Sequence, residues 1–320
     1  MLLVAYVVEA VRVHRLRSVP VPGEILSIGG RSVHLYCTGS GSPTLLLEAG
    51  LGDDFLSWRR VQPALSRTTR VCSYDRAGYG WSTAIPGTRD TDHFVAELHD
   101  LLAAAHIDGP IVLMGHSMGG LIVRKYASLY PQGIVGMVFV DTSTPTQVER
   151  LPAELSGGGD FTSADELLLP FGVTRMRGHC GVEDPATPEF NSLLRNHDCL
   201  RGVIDTDDRE AAAFPASAHE ALNTGPFGQI PILIFSQDPA LHFGDDLPLA
   251  AARRGAVVWN TLQEELKQLS PRSRRIIARG STHYIHQLRP ELVIREVNHL
   301  VGEIRGTEPA RSDYGSTTTE

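Results

Sequence analysis

Short apolar runs alternate with stretches in which apolar residues recur every three or four positions, from about residue 25 onward. The runs are rich in β-branched residues, and each has the length of one strand that is buried on both faces. This alternation predicts an α/β fold, in which a mostly parallel sheet is flanked by helices. Eight strands are predicted, at residues 25–28, 32–36, 44–48, 70–74, 111–114, 135–140, 230–235 and 274–278.

Turn and helix signals connect these strands. Gly29-Gly30 lies between the first two strands and predicts a tight hairpin, because glycine reaches the positive φ angles that short hairpin turns require. Apolar residues at helical spacing predict helices at residues 94–105, 121–129 and 290–304. Pro131 follows the second of them and is expected to end it.

The regular alternation stops at residues 145–228, which are rich in Gly, Pro and loops and hold only helical fragments. We interpret this segment as an inserted, mainly helical cap between two parts of one core, residues 23–144 and 229–305. Residues 306–320 are polar and poor in apolar side chains, so a disordered tail is predicted there.

The N-terminal segment 1–22 begins with an apolar run that is interrupted by Glu9 and followed by arginines. A bilayer-spanning helix needs about 20 apolar residues, and this run is shorter. It also lacks the basic start and small-residue cleavage site of a signal peptide. Two interpretations stay open: a membrane anchor through residues 1–17, or an amphipathic helix that packs on a protein located in the cytoplasm.

Composition narrows the class of partner. The chain has 320 residues, 42% of them hydrophobic, which is enough for a large core. Its net charge is −8 at pH 7 and its pI is about 5.9. Nucleic-acid binding needs clustered Lys and Arg, so this balance argues against it and favours a small-molecule substrate.

The four cysteines are Cys37, Cys72, Cys180 and Cys199, and no two of them have the C-x-x-C spacing of a zinc site. A disulfide between Cys180 and Cys199 is one interpretation, if the protein works outside the cytosol, and four free thiols are the other. A metal site built from Cys180, His197 and Cys199 is disfavoured by the irregular spacing. No metal or cofactor is therefore predicted.

The most informative motif is Gly115-His116-Ser117-Met118-Gly119, directly after the apolar run 111–114. In a strand-turn-helix context, a Gly-x-Ser-x-Gly sequence holds its serine on a strained corner with the hydroxyl exposed. The glycines are a steric requirement, because the turn brings backbone segments too close for a Cβ. Ser117 is therefore the predicted nucleophile, and the N-terminus of the following helix favours developing negative charge there.

A serine hydroxyl needs a histidine to remove its proton and an acid to orient that histidine. His283 follows the last predicted strand and is the predicted base, with His286 as the alternative. Asp238 follows the preceding strand and is the predicted acid, since catalytic groups gather at the carboxyl ends of parallel strands. The competing acids are Asp141, Asp245 and Asp246.

Acyl transfer also requires two donors for the oxyanion. The Met118 amide, directly after the nucleophile, is the first candidate. The second candidate is the Leu51 amide in the glycine-rich loop at residues 48–53, called here the 48–53 loop, which follows the third predicted strand.

Taken together, these motifs resemble the α/β-hydrolase superfamily. Asp75-Arg76-Ala77-Gly78-Tyr79-Gly80-Trp81-Ser82 is similar to its D-x-R-G-x-G-x-S loop, and residues 115–120 and 281–290 are similar to its nucleophile turn and terminal histidine segment. Residues 34–39 and 47–52 resemble a subgroup of bacterial hydrolases that often carry a hydrophobic N-terminus. The serine at position 117 argues against the dehalogenase and epoxide-hydrolase branches, which use an aspartate nucleophile.

The resemblance implies a serine hydrolase that cleaves carboxylic esters through an acyl-enzyme intermediate, without a cofactor. Hydrolysis of a thioester, amide, lactone or carbon–carbon bond, and a binding protein with little turnover, are the alternatives. Apolar clusters at residues 167–171 and 211–214 predict either a pocket for an apolar part of the substrate or simple packing on the core.

Overall fold

A central sheet of nine strands organises the part of the chain that the structure describes. The computed structural model describes residues 2–17, 20–155, 169–171, 173, 183–197, 201–241 and 248–320. The strands are β1 (Glu24–Ile28), β2 (Arg31–Thr38), β3 (Thr44–Glu48), β4 (Val71–Tyr74), β5 (Ile111–His116), β6 (Ile134–Val140), β7 (Ile232–Gln237), β8 (Ser273–Ala278) and β9 (Thr317–Thr319). Their order in the sheet is β1-β2-β4-β3-β5-β6-β7-β8-β9.

The sheet is mostly parallel, as predicted. β1 pairs antiparallel with β2 in a hairpin that closes at the Ile28↔Arg31 pair, and β2 pairs antiparallel with β4. Every other pair of neighbouring strands in the sheet, from β4-β3 to β8-β9, is parallel. The carboxyl ends of β3 to β8 therefore meet at one edge, where open parallel sheets bind their ligands.

Helices connect the strands and cover both faces of the sheet. They are α1 (Leu2–Arg17), α2 (Gln62–Leu65), α3 (Thr91–Ala104), α4 (Gly119–Leu129), α5 (Gln147–Arg150), α6 (Asn191–His197), α7 (Arg201–Glu220), α8 (Leu249–Glu265), α9 (Ile285–Leu288) and α10 (Pro290–Arg305). Short 3₁₀ helices occur at Phe55–Trp58, Ala153–Leu155, Leu169–Phe171, Pro188–Phe190 and Leu266–Leu269.

Successive side chains of the central strands enter two separate cores, because a strand alternates its side chains between the faces of a sheet. On β5, Leu113 belongs to the cluster that contains Phe94 of α3 and Ile122 of α4. Its neighbours Val112 and Met114 belong to the opposite cluster, with Val297 of α10. This double burial explains why β5 is an uninterrupted apolar run.

The structure corrects the prediction of disorder at residues 306–320 and the count of eight strands. Thr317 pairs with Arg275 of β8, and the Glu320 N–H donates to Ile277 O at 3.0 Å. Without β9, the edge of β8 would leave backbone donors and acceptors unpaired. Main-chain hydrogen bonding needs no apolar side chains, so a polar tail can still form a strand.

Two other predictions concern the N-terminus and the cysteines. Within the described residues, no helix is both long and apolar enough to cross a membrane. The anchor at residues 1–17 and the cap boundaries remain predictions.

Cys37 and Cys72 face each other across β2 and β4 and form a disulfide, which the sequence did not predict. Cys180 and Cys199 lie outside the described residues.

Candidate active site

Ser117 occupies the turn between β5 and α4, as predicted. Its φ is +49°, a left-handed conformation that residues with a Cβ rarely adopt. The Ser117 N–H donates to Val140 O at 3.3 Å, and the Gly120 N–H donates to Ser117 O at 3.0 Å. Strain that is held in place by such surrounding contacts is typical of functional positions.

The neighbouring glycines are required by space. A Cβ on Gly115 would lie 2.6 Å from Gly119 O, and a Cβ on Gly119 would lie 2.5 Å from Glu48 O. Real Cβ atoms do not approach backbone oxygen so closely, so both positions need glycine. The turn is thereby packed against the end of β3.

His283 forms a hydrogen bond with Asp141, which makes Asp141 the candidate acid. His283 Nδ1 lies 2.7 Å from Asp141 Oδ2. Asp141 is the first residue after β6, is fully buried and has a φ of +45°. Its other oxygen, Oδ1, accepts from the Gln237 N–H and from the Trp259 indole N–H, both at 2.9 Å. The carboxylate is therefore held in one orientation, with Oδ2 directed to the imidazole.

The prediction that Asp238 orients His283 is therefore corrected by the structure. Asp238 Oδ2 accepts from the Gly280 N–H at 2.8 Å, and Oδ1 accepts from the Ala240 N–H at 2.9 Å. These two backbone donors lower the pKa of the Asp238 carboxyl. Asp238 thus braces the loop ahead of His283. The other competing acids, Asp245 and Asp246, lie outside the described residues.

The alternative base, His286, lies in a different environment. It is fully buried, its Nε2 is 3.0 Å from Ser57 Oγ, and its ring centroid is 4.5 Å from that of Trp58. Burial, together with nearby His116 and His283, lowers the pKa of His286 well below its usual value. A neutral histidine with these partners is structural in character.

Register places Ser117 and Asp141 side by side. His116 and Val140 are paired across β5 and β6, so the residues that follow them leave the sheet at the same edge. Among the described residues, no hydrogen bond joins the Ser117 hydroxyl to His283. In structures without substrate this contact is commonly long, and it tightens when substrate binds.

His116 is a site residue that sequence reasoning misses, because the second position of the motif has no fixed chemistry. Its buried ring lies 4.7 Å from the His283 ring, and its Nε2 is 3.3 Å from the His283 carbonyl oxygen. Its Nδ1 is 3.4 Å from Asp53 Oδ2. Burial lowers the pKa of His116, so its ring supports the His283 loop as a neutral group.

The two predicted oxyanion donors both belong to segments that meet at Ser117. A Cβ on Gly50 would lie 3.2 Å from the Ser117 Cβ, so the 48–53 loop lies directly against the nucleophile. Neither the Leu51 nor the Met118 amide has a hydrogen-bond acceptor among the residues described here. Unused amides beside a serine are what an oxyanion site requires.

Asp207 of α7 places a further carboxylate over this loop. A Cβ on Gly52 would lie 3.0 Å from Asp207 Oδ1, an atom with no hydrogen-bond partner among the described residues. Burial, together with Glu210 and Asp208, raises the pKa of Asp207 to about 6. Ionisation of Asp207 therefore opposes folding.

We expect Asp207→Asn to stabilise the protein in a pH-dependent way. The folded pKa lies above the unfolded one, so the cost of ionisation is absent below about pH 4 and complete above about pH 6. Thermal melts should show Asp207→Asn gaining about 1 kcal/mol at pH 7.5 and almost nothing at pH 4. Asp205→Asn, at an exposed position of the same helix, is the control. An equal gain at both pH values would contradict this assignment.

Among the described residues, no group of three or more His, Cys, Asp or Glu side chains is placed to hold a metal ion. Cys180, Cys199 and the His197 side chain lie outside it.

Comparison with known proteins agrees with this geometry. Residues 43–290 match the sequence profile of the alpha/beta hydrolase fold. The chain belongs to the alpha/beta hydrolase family. It is 25% identical over 282 residues to an AB hydrolase superfamily protein of Gibberella zeae. The matched region covers 82% of this chain and 87% of that protein. The narrower bacterial subgroup remains a prediction.

Two solved structures share the fold of this chain. A putative lipase from Acinetobacter baumannii AYE has a TM-score of 0.62 at 18% identity, covering 94% of this chain and 97% of that one. A mutant of a putative epoxide hydrolase from Pseudomonas aeruginosa has a TM-score of 0.60 at 18% identity, covering 89% of this chain and 97% of that one. At this identity the likeness extends to the fold, and the reaction has to be argued from the site.

Proposed function

We propose that this alpha/beta hydrolase is a serine hydrolase that cleaves carboxylic esters through an acyl-enzyme intermediate. The observation that carries the proposal is the His283–Asp141 hydrogen bond at the sheet edge where Ser117 is held at a φ of +49°. A strained serine, a histidine and a buried carboxylate are the three groups that acyl transfer requires.

In acylation, His283 Nε2 removes the proton of the Ser117 hydroxyl while Oγ attacks the ester carbonyl carbon. The Asp141 carboxylate accepts from Nδ1–H, which keeps Nε2 free as the base and stabilises the imidazolium that forms. The carbonyl oxygen becomes an oxyanion, which the Leu51 and Met118 amides stabilise. Collapse of this intermediate breaks the ester bond, and the alcohol leaves with the proton from His283.

In deacylation, water takes the place of the alcohol. His283 removes a proton from water, the hydroxide attacks the acyl carbon, and the same amides stabilise the second oxyanion. Ser117 Oγ leaves with the proton, and the carboxylic acid is released. The enzyme returns to its starting state without a cofactor.

The described residues give little information on which acyl group the site would bind. Phe214, from the predicted apolar cluster at residues 211–214, packs against the core cluster of Leu121 and Ala218, which is the packing alternative for that cluster. Most of the other predicted cluster lies outside the described residues. An apolar acyl or alcohol part therefore remains a prediction, and short-chain esters are the appropriate first substrates.

A fluorophosphonate probe tests the proposal. It phosphonylates a serine only where a base and an oxyanion site activate that serine. We expect stoichiometric labelling on the peptide that contains Ser117, loss of p-nitrophenyl butyrate hydrolysis in step with labelling, and no labelling of heat-denatured protein. Labelling at another serine, or hydrolysis that survives complete labelling, would refute the proposal. A binding protein with little turnover would show neither labelling nor hydrolysis.

A further inference from the structure

One buried guanidinium holds the 48–53 loop from behind. Arg76 is 3% exposed. Its Nη1 donates to Ala49 O at 2.9 Å, and its Nη2 donates to Gly50 O at 2.6 Å. Two successive carbonyls of the loop are therefore fixed by a single side chain.

These bonds also determine where the next amide points. The carbonyl of Gly50 and the N–H of Leu51 belong to one peptide unit, which is planar and trans, so the two groups point in opposite directions. Because Gly50 O is directed to Arg76, the Leu51 N–H is directed away from Arg76. A Cβ added to Gly50 would lie 3.2 Å from the Ser117 Cβ, so the loop lies against Ser117 at this point.

The charge of Arg76 is balanced from two sides. Its Nη1 lies 3.0 Å from Glu48 Oε1, at the base of the loop. Its Nε and Nη2 donate to the two carboxylate oxygens of Glu210, at 3.1 and 2.8 Å. Glu210 is fully buried and belongs to α7, in the segment between β6 and β7. One guanidinium thus joins α7 to the loop.

The Arg76–Glu210 ion pair is buried, so neither charge is stabilised by water. Removing one member of a buried ion pair is strongly destabilising, so the Arg76–Glu210 pair favours the docked position of α7. Displacement of α7 would leave Arg76 short of one carboxylate and free to turn from the loop carbonyls. The position of α7 and the orientation of the Gly50–Leu51 peptide are therefore coupled.

We propose that Arg76 is a positioning residue for the oxyanion site. Paired with Glu210, it holds the Gly50–Leu51 peptide with its N–H toward Ser117, so that docking of α7 completes the catalytic arrangement. This inference rests on the proposed esterase function, and it adds a residue that touches neither substrate nor nucleophile.

The test compares Arg76→Gln with Arg89→Gln. Arg89 lies in the same cluster: its Nη1 is 2.7 Å from Glu97 Oε1, its Nη2 is 3.6 Å from Glu210 Oε1, and its guanidinium lies over Phe94, as that of Arg76 does. Among the described residues, Arg89 bonds to no carbonyl of the 48–53 loop. Both variants should lower the melting temperature, whereas only Arg76→Gln should lower kcat, by about 10²-fold with KM little changed.

A boronic acid inhibitor adds a readout that a purely structural role would not change. Its tetrahedral serine adduct places an oxygen where the oxyanion forms, so its Ki should rise in parallel with the fall in kcat. The Ki of 1-butanol, which has no carbonyl or carboxylate oxygen to place in the oxyanion site, should stay near that of the wild type. Glu210→Gln keeps a hydrogen-bond acceptor and removes the charge, and about a 10-fold loss of kcat is expected from it. It serves as the deciding variant if Arg76→Gln does not fold.

The outcomes separate this inference from the function on which it rests. An active wild type labelled at Ser117, with kcat unchanged in folded Arg76→Gln or Glu210→Gln, would overturn the role of Arg76 alone. An equal loss of kcat in Arg89→Gln would also overturn it, since the effect would then come from general loosening. A wild type without Ser117-dependent hydrolysis would overturn both.

Discussion

Asp141→Asn should lower kcat/KM for p-nitrophenyl butyrate by about 10⁴-fold without preventing folding. The Gln237 and Trp259 N–H groups both donate to Oδ1, so the amide oxygen of the substituted side chain would take that place. Its NH₂ would then face His283 Nδ1 as a donor. Nδ1 would have to accept, the ring proton would move to Nε2, and Nε2 could no longer remove the Ser117 proton.

Asp238→Asn is the matched control, because it makes the same chemical change one strand further along the sheet. Its amide oxygen can still accept from one of the two backbone donors, so we expect kcat/KM within about threefold of wild type and a loss of about 1 kcal/mol in stability. Steady-state kinetics and thermal melts of the two variants decide between the acids. A severe loss in Asp238→Asn with an active Asp141→Asn would show that the His283–Asp141 bond is not the catalytic one.

Ser117→Ala should abolish turnover, with a loss in kcat of about 10⁵-fold or more. Only substrate binding and the oxyanion amides would remain to assist attack by water. Fluorophosphonate labelling of this variant should be absent, and its melting temperature should be close to that of wild type. Retained hydrolysis in Ser117→Ala would show that another group is the nucleophile.

Ser117→Gly separates strain from chemistry at the same position. Glycine adopts a φ of +49° without steric cost, whereas serine and alanine do not. Ser117→Gly should therefore be as inactive as Ser117→Ala but more stable than it, by about 1 kcal/mol. Equal melting temperatures would mean that the turn stores no strain at this residue.

The nucleophile and the acid differ in how far sequence could identify them. Ser117 stands out because its turn is local: a strand, two glycines and a helix follow one another along the chain. Asp141 is selected by spatial order, since β6 lies beside β5 in the sheet and its first loop residue leaves next to Ser117. Trp259, which holds Asp141, comes from a helix more than a hundred residues later.

The roles of His116 and Arg76 also could not be identified from the sequence. Both belong to motifs that sequence reasoning recognised, yet their roles depend on partners from distant segments: the His283 carbonyl for one, and Glu210 with the Gly50 carbonyl for the other. Such pairings leave no periodic pattern of apolar residues in the sequence. They arise when packed elements bring a buried polar group to the only partners within reach.

The sequence by itself determined the α/β architecture, the serine on its turn and the histidine after the last core strand. These features depend on periodicity and on steric rules that act over a few residues. The tertiary structure alone decided that Asp141 is the partner of His283, that the tail forms β9 and that Arg76 holds the 48–53 loop. Each of these is a contact between segments far apart in the chain, and its geometry exists only once the sheet order and the helix packing are set.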